Sequence, residues 1–312
     1  MNNVNQTQAP VAPGFEWWND SVRGVPNTFI RSALFGISKK EKEPEKIEDK
    51  PIHEFKLIAS AKGFTVHFKG TELNQDDLVV WCEIIHNSRF EAEPNLIKLN
   101  CCDMKLVVLL KAIGKANGGK EVAWLKKSIK DLNEAVVKVK FENQREGYEG
   151  KLLEQVVING NEYKIFVNPD LAYLFVDGSK RDFTRINFER KIKEAKNGLL
   201  GWLFNFYSSH ENKGYPTFSV ETIHKLCGSK DTKLFSFKRQ LKTALYHLEN
   251  ATLWKCEIED NKVNVIDTSI LSPDELIAYK EKRFNKLMKD EDFRKLVEAE
   301  NELLKDPDYI PF

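Results

Sequence analysis

Lys225-Leu-Cys-Gly228, then LFSFKRQLKTALYHLENA (Leu234 to Ala251), then LWKCEI (Leu253 to Ile258) is the stretch on which the fold turns. In its middle part Leu234, Phe237, Leu241, Leu245 and Leu248 recur at spacings of three, four, four and three. One stripe of that helix therefore faces a core and the opposite stripe faces solvent. Gly228 closes a helix ahead of it, and the run after Leu253 reads as a strand. Laying Met104 to Phe141 beside Glu221 to Ile258 gives the same order a second time. Lys111-Ala-Ile-Gly114 ends a helix, WLKKSIKDLNEA (Trp124 to Ala135) forms a basic amphipathic helix, and Val136 to Phe141 reads as a strand.

Helix, glycine-containing turn, helix, strand is the order of a winged helix-turn-helix module, which offers its second helix to the major groove of DNA. Hairpins suited to wings follow both copies. In the first, the strand Val136 to Glu142 is followed by a run from Tyr148 to Ile158, a turn at Asn159-Gly160 and a return from Tyr163 to Val167. Asn-Gly is a strong hairpin signal. In the second, Trp254 to Ile258 returns through Asp260-Asn261 to Val263 to Ile266.

Upstream, the period-two runs Phe55, Leu57, Ala59 and Phe64, Val66, Phe68 flank Lys62-Gly63 and predict a leading hairpin. Leu78, Trp81, Ile84 and Ile85 predict a helix within Thr71 to Asn87, N-capped by Asn74. Further helices are expected from Asp103 to Ile113 and from Gly119 to Glu134. Asn168-Pro169 and Asp177-Gly178 break the chain between the modules, and GLLGWLFNFY (Gly198 to Tyr207) opens the second. The first 26 residues, rich in Asn, Gln, Pro and Ala, read as a flexible arm whose Phe15, Trp17 and Trp18 dock onto the body or onto a partner. Thr28 to Ile37 reads as a short amphipathic helix, Ser38 to Lys50 as a mixed-charge linker, and the chain after Ser272-Pro273 as a charged helix.

The expected fold class is α+β: tandem winged helix-turn-helix domains with a flexible N-terminal arm and a C-terminal helical extension. The boundaries are residues 1–50 for arm and linker, 51–180 for the first winged-helix domain, 181–270 for the second and 271–312 for the charged C-terminal helix. At 312 residues with 41% hydrophobic content the chain can bury a core in each domain, which excludes disorder of the whole chain. Its 48 basic and 47 acidic residues leave a net charge of +1, so only local charge can point to a nucleic acid.

That local charge lies in the second module. Between Lys225 and Lys242 stand six basic residues (Lys225, Lys230, Lys233, Lys238, Arg239, Lys242) against one acidic residue, Asp231. Such a cluster neutralises phosphates whatever the base sequence. Ser236, Arg239, Gln240 and Thr243 add groups able to meet base edges, Arg suiting guanine and Gln adenine. The candidate DNA-binding residues are Lys230, Lys233, Ser236, Lys238, Arg239, Gln240, Lys242 and Thr243. In the first module Lys120, Lys126, Lys127 and Lys130, with Lys115 nearby, form a weaker face diluted by Glu121, Asp131 and Glu134, and either auxiliary DNA contact or plain solvation fits it.

Other chemistries find little support. Gly114 to Lys120 matches the G-x-x-x-x-G-K core of a phosphate-binding loop, but Glu121 stands where Ser or Thr must hold magnesium, and the segment follows a helix. Six histidines form no H-E-x-x-H, and five cysteines (Cys82, Cys101, Cys102, Cys227, Cys256) form no C-x-x-C, so reduced, packed thiols are expected. No catalytic residue, metal site or cofactor is assigned. The N-terminus lacks a signal-peptide layout and no apolar run is long enough for a bilayer, so a cytoplasmic protein with no membrane contact is expected.

Several separated motifs resemble, in order, the TrfA-like plasmid replication initiators. They are VPNTFIRSALF (Val25 to Phe35), LNQDDLVVWCEIIH (Leu73 to His86), LLKAIGK (Leu109 to Lys115), YEGKLLEQV, VNPDLAYLF, TRINFERK, WLFNFYSSH and YPTFSVETIHKLCGS (Tyr215 to Ser229). The resemblance spans about Asp20 to Asn250 and implies a non-enzymatic initiator that binds direct repeats (iterons) in double-stranded plasmid origin DNA. It also implies help in opening the adjacent duplex, recruitment of host DnaA and DnaB, and a monomer-dimer equilibrium controlling copy number. Carried over by position, Ser229 to Leu248 would be the recognition helix with its preceding turn, and the first module would combine dimerisation with auxiliary DNA contact. The Gln-Leu-x-Leu-Phe sliding-clamp motif of family members is replaced here by APVAPGFEWW, so that motif gives no basis for a clamp contact. A winged-helix transcriptional repressor and, in another class, an origin nuclease or ATPase are the alternatives.

Overall fold

In the computed structural model the described residues are 13–16, 18–38, 52–93, 96–142, 147–177, 180–189, 198–210, 215–252, 254–267 and part of 272–298. Trp17 and the linker from residue 39 to 51 lie outside them. The chain opens with strand β1 (Val22–Pro26), a single helical turn α1 (Asn27–Ile30) and β2 (Phe35–Gly36). The hairpin β3 (Ile52–Ile58) and β4 (Phe64–Gly70) follows, then β5 (Leu73–Asn74) and helix α2 (Gln75–Asn87). Next come β6 (Arg89–Glu93), β7 (Leu96–Leu99), β8 (Cys101–Lys105), α3 (Leu106–Ala112) and α4 (Gly119–Glu134). Four strands, β9 (Val136–Phe141), β10 (Tyr148–Lys151), β11 (Gln155–Asn159) and β12 (Glu162–Phe166), complete the first module. A 3-10 turn (Pro169–Leu174) and β13 (Val176–Asp177), β14 (Lys180–Arg181) and β15 (Phe183–Asn187) lead to the second. That module comprises α5 (Gly198–Ser208), β16 (Phe218–Ser219), α6 (Val220–Leu226), α7 (Leu234–Ala251), β17 (Trp254–Glu259) and β18 (Lys262–Asp267). The protein is thus a mixed α and β fold. No helix among the described residues is long and apolar enough to cross a membrane.

Helix α2 starts where its sequence says it must. The Asn74 side chain accepts from the backbone N–H groups of Asp76 (3.0 Å) and Asp77 (3.2 Å), while Asp77 accepts the Asn74 N–H at 2.9 Å. This reciprocal cap satisfies donors that a helix start leaves open. The second oxygen of Asp77 receives the Ser128 hydroxyl at 2.6 Å, tying α2 to α4. Beyond the cap, Leu78, Trp81, Ile84 and Ile85 are all buried.

The leading hairpin forms as expected, with Ile58 opposite Val66 and Gly63 at φ 99 in the turn. It extends into a four-stranded sheet of order β10-β9-β4-β3. Phe64, Val66 and Phe68 face the core with Val137 and Val139, whereas Phe55 and Leu57 lie on the outer face.

Five expectations need correction. The N-terminal segment is no free arm from residue 13 onward: Phe15 and Trp18 are 3% and 2% exposed. Their rings stack at 5.3 Å, and Phe15 stacks on Phe175 at 4.7 Å, so the segment docks onto its own chain. Strand β1 then pairs antiparallel with β15, from Val22 opposite Asn187 to Pro26 opposite Phe183. Gly24 permits this packing, because a Cβ there would lie 2.7 Å from the Trp18 ring. The helix read over Thr28 to Ile37 is only one turn long. Phe29, Ile30, Leu34 and Phe35 are buried together, and the backbone of Phe35–Gly36 pairs with Leu73–Asn74 instead of continuing a helix.

The helix read from Asp103 begins at Leu106, because Cys101–Lys105 pairs with β12. The run from Tyr148 to Ile158 is two strands, not one. Leu152 and Leu153 are both fully buried, and the chain crosses there from one sheet to another. β11 and β12 turn through Gly160 (φ 61) and Asn161, one residue beyond the expected pair, and join β8 in a three-stranded sheet. Helix α5, buried along Leu199 to Tyr207, packs against α2 and α7 between the modules. The C-terminal extension is only partly described, mostly as exposed helical positions.

Candidate nucleic-acid interface

The first helices of the pairs α3–α4 and α6–α7 end in one shared hydrogen-bond pattern. In the first, the N–H groups of Ile113, Gly114 and Lys115 donate to the carbonyls of Leu109 (3.1 Å), Lys111 (3.1 Å) and Leu110 (2.9 Å). In the second, Cys227, Gly228 and Ser229 donate to Ile223 (2.9 Å), Lys225 (3.1 Å) and His224 (3.2 Å). Every donor and acceptor is displaced by 114 positions, the interval from Gly114 to Gly228. Both glycines are left-handed, at φ 68 and φ 65. This is the Schellman closure of a helix, which uses the last carbonyls and sends the chain off sharply. In both copies a strand precedes the first helix (β8, β16) and pairs with a later strand of its own module (β12, β18). The copies diverge after the second helix, since β9 joins the four-stranded sheet while β17 pairs directly with β18.

Helix α7 buries Phe237, Leu241, Ala244, Leu245 and Leu248. Its opposite stripe carries Phe235, Arg239, Lys242 and Tyr246 at the helical spacing i, i+4, i+7 and i+11. Arg239 and Lys242 are exposed on this stripe, as are Lys230 and Lys233 in the turn leading to it. No side-chain hydrogen bond caps the α7 N-terminus at Lys233.

The flanks of the stripe are braced. The Lys238 ammonium donates to Asn261 Oδ1 at 2.6 Å, fixing it to the turn of the β17–β18 hairpin. Asp260 (φ 47) and Asn261 (φ 63) form that two-residue turn with both residues left-handed, the twist that suits a tight hairpin. On the other flank the Gln240 amide donates to Asp231 Oδ2 at 2.9 Å, and the Asp231 carbonyl bonds His224 Nε2 at 2.9 Å. The single acidic residue of the cluster thus shapes the turn. Thr243 Oγ1 donates back to the Arg239 carbonyl at 3.3 Å, and Ser236 is half-buried. Of the eight residues read from sequence, Lys230, Lys233, Arg239 and Lys242 are exposed on or beside the stripe, Lys230 while paired with Glu72, and Lys238 and Gln240 act first as braces.

Sequence reading passed over Phe235. It is 78% exposed, the highest value among the large hydrophobic residues described. Its sequence signal is that it falls off the three-four stripe that accounts for Leu234 and Phe237.

In the first module Lys120, Lys126 and Lys127 are exposed on α4, and Lys130 pairs with Glu134 at 3.8 Å. Lys115 turns inward, 3.6 Å from Asp76 and 4.3 Å from the centroid of Trp124. The glycine-rich segment before Lys120 links two helices, and the Glu121 carboxylate packs beside Gly118, 2.5 Å from where a Cβ would lie. The cysteines are thiols; burial pushes Cys102 and Cys227 up to about 12.

The modules meet beside the candidate interface. Lys230 pairs with Glu72 at 2.9 Å, and the Ile37 N–H donates to the Cys227 carbonyl at 3.0 Å. A cleft of about 280 Å³ lies there, lined among others by Gly36, Lys56, Glu72, Lys225 and Ser229. Deeper in, the Gln75 amide donates to the Phe35 carbonyl at 2.5 Å and accepts from Asn205 at 3.0 Å, joining α2 to α5 through buried polar groups.

No family model matches the chain. It is similar to the plasmid replication initiator protein TrfA of Escherichia coli, 22% identical over 248 residues that cover 76% of this chain. The chain spans 59% of the length of that relative. Among solved structures it is similar to domains 2 and 3 of RctB, at a TM-score of 0.47 and 12% identity over 77% of this chain and 97% of that one. A second crystal structure of RctB domains 2 and 3 gives 0.47 and 13%, over 76% and 94%. The resemblance to TrfA-like initiators read from the motifs is thus shown by a curated relative.

Proposed function

We propose that this TrfA-like chain is a plasmid replication initiator whose two modules act as winged helices on double-stranded origin DNA. The observation that carries the reading is the duplicated Schellman turn, which in the second copy delivers an outward stripe of Arg239 and Lys242 flanked by Lys230, Lys233 and a hairpin braced through Lys238. A helix so placed suits the major groove, its cations suit phosphates, and the β17–β18 hairpin suits a wing.

In this reading residues 181–270 make the main sequence-specific contact, with Lys230, Lys233, Ser236, Lys238, Arg239, Gln240, Lys242 and Thr243 in or bracing the interface. Residues 51–180 supply self-association and auxiliary contact through Lys120, Lys126, Lys127 and Lys130. The protein acts by binding repeated sites and remodelling the duplex, with no bond-making chemistry of its own, and hands the open origin to host DnaA and DnaB. The name of the curated relative supports initiation; iterons, copy control and these partners follow from the family resemblance.

The test is a salt-dependent titration of the full chain against its plasmid's origin fragment, with a shuffled duplex as competitor. A preference of about a thousandfold with a steep salt slope is expected. Equal, weak binding to both by dilute, monomeric protein would overturn the reading.

A further inference from the structure

Phe235 is the second residue of α7, between Lys233 and the Lys238–Arg239 pair. Its neighbours Leu234 and Phe237 turn toward the core, the latter fully buried, so the Phe235 ring is held on the outer stripe at 78% exposure. A benzyl group left in water on a stripe it shares with Arg239, Lys242 and the half-buried Tyr246 contributes nothing to the core, and the two cations repel a cationic surface and favour a polyanion. Duplex DNA presents one apolar group in its major groove, the C5 methyl of thymine. The first turn of a recognition helix is also the part that reaches base edges.

We infer that Phe235 reads a thymine in the bound duplex, its ring packing on the C5 methyl while Arg239 and Lys242, one and two turns on, take polar and phosphate contacts. The inference rests on the DNA-binding reading above and deepens it by naming the apolar half of the recognition. It also assigns a specificity-determining role to a residue that has no charge and no hydrogen-bonding group.

The experiment starts from duplexes enriched by the full-length chain from a random library. Each thymine of the enriched site is replaced in turn by deoxyuridine, which removes only the methyl group. Wild-type protein should lose about fourfold in affinity at one position, the equivalent of exposing one methyl group. Phe235→Ala should bind the thymine duplex more weakly and bind the thymine and uracil versions of that position equally. Phe235→Leu, still apolar, should keep a preference for thymine. Both variants should melt at the wild-type temperature, since the side chain lies outside the core.

Two outcomes overturn the inference while leaving the DNA-binding reading intact. One is selective binding by wild type that tolerates every uracil. The other is an undiminished thymine preference in Phe235→Ala, which would turn the exposed ring toward a protein surface. Failure of the library to yield any selectively bound duplex overturns both.

Discussion

Replacing Glu83 with Ala tests how the N-terminal segment is held. One Glu83 oxygen accepts from Arg23 Nε at 2.8 Å and from a terminal guanidinium nitrogen at 2.6 Å, and the other accepts from Asn87 at 2.8 Å. Both members of the pair are under 10% exposed. Without the carboxylate, the buried guanidinium keeps the Asp20 and Val22 carbonyls and the Phe188 ring, 4.1 Å away, but loses the carboxylate that balances its charge. Breaking such a pair from one side costs about 3 to 5 kcal/mol. At about 2 to 4 °C per kcal/mol, Glu83→Ala should melt on the order of 10 °C below wild type. The double variant Arg23→Met/Glu83→Leu should recover most of that loss, because it removes the stranded charge as well as the bond. Calorimetry with limited proteolysis would read both effects, cleavage near residues 13–26 rising in Glu83→Ala alone. A loss under about 1 kcal/mol, or a double variant no better than the single, would refute the reasoning.

The remaining predictions address the interface and the effect of acid. Arg239→Ala should relax base preference at one position at a cost of about 1 to 3 kcal/mol, whereas Lys242→Ala should weaken all duplexes alike and lower the salt slope by about one; quantitative footprinting separates the two, and unchanged binding by both removes α7 from the interface. Gly228→Ala has room for its methyl, 3.5 Å from Ala33 Cβ, but must hold φ 65, so urea unfolding should show a loss of about 1 to 2 kcal/mol; no loss would mean that the turn relaxes out of the left-handed region. His86 is pushed down to about 4 by burial, with the Arg23 and Arg89 guanidiniums adding to it, while its Nδ1 accepts from the Trp18 indole at 3.1 Å. Between pH 6.5 and about 4 the unfolded chain takes up a proton that the folded chain refuses, so the stability His86 contributes is complete above pH 6.5 and is lost as pH falls. His86→Gln should flatten that acid slope in pH-dependent melting, and parallel slopes would rule out His86 as its source.

The legible parts of the fold were those in which a short window contains its own partners. The capping of α2 by Asn74 and Asp77 spans four residues, and the repeat declared itself because a glycine turn, an amphipathic helix and a strand follow one another in the same order twice. The illegible parts depend on distant residues. Nothing near Phe15 predicts Phe175, and nothing within Tyr148 to Ile158 shows that β9 and β12 will claim its two halves separately. The candidate site divides in the same way. The basic content of α7 was readable, but its sorting into an outward stripe and two braces was not, because Asn261 and Asp231 lie outside the helix. Phe235 was hidden by composition: a phenylalanine within a run containing Leu234 and Phe237 looks like core until the helix is turned to face its neighbours.

The pairing of β1 with β15 sets a timetable for synthesis. Val22 leaves the ribosome about 165 residues ahead of its partner Asn187, which at 5 to 20 residues per second is a delay on the order of ten to thirty seconds. Over that interval the hairpin, α2 and the first helix-turn-helix can assemble while Phe15 and Trp18 wait for Phe175 and Phe183 to close the aromatic cluster over them. The first module is therefore sealed by the segment that introduces the second, and a nascent chain stalled before Phe183 carries two uncovered aromatic rings and an unpaired strand for chaperones or proteases to find.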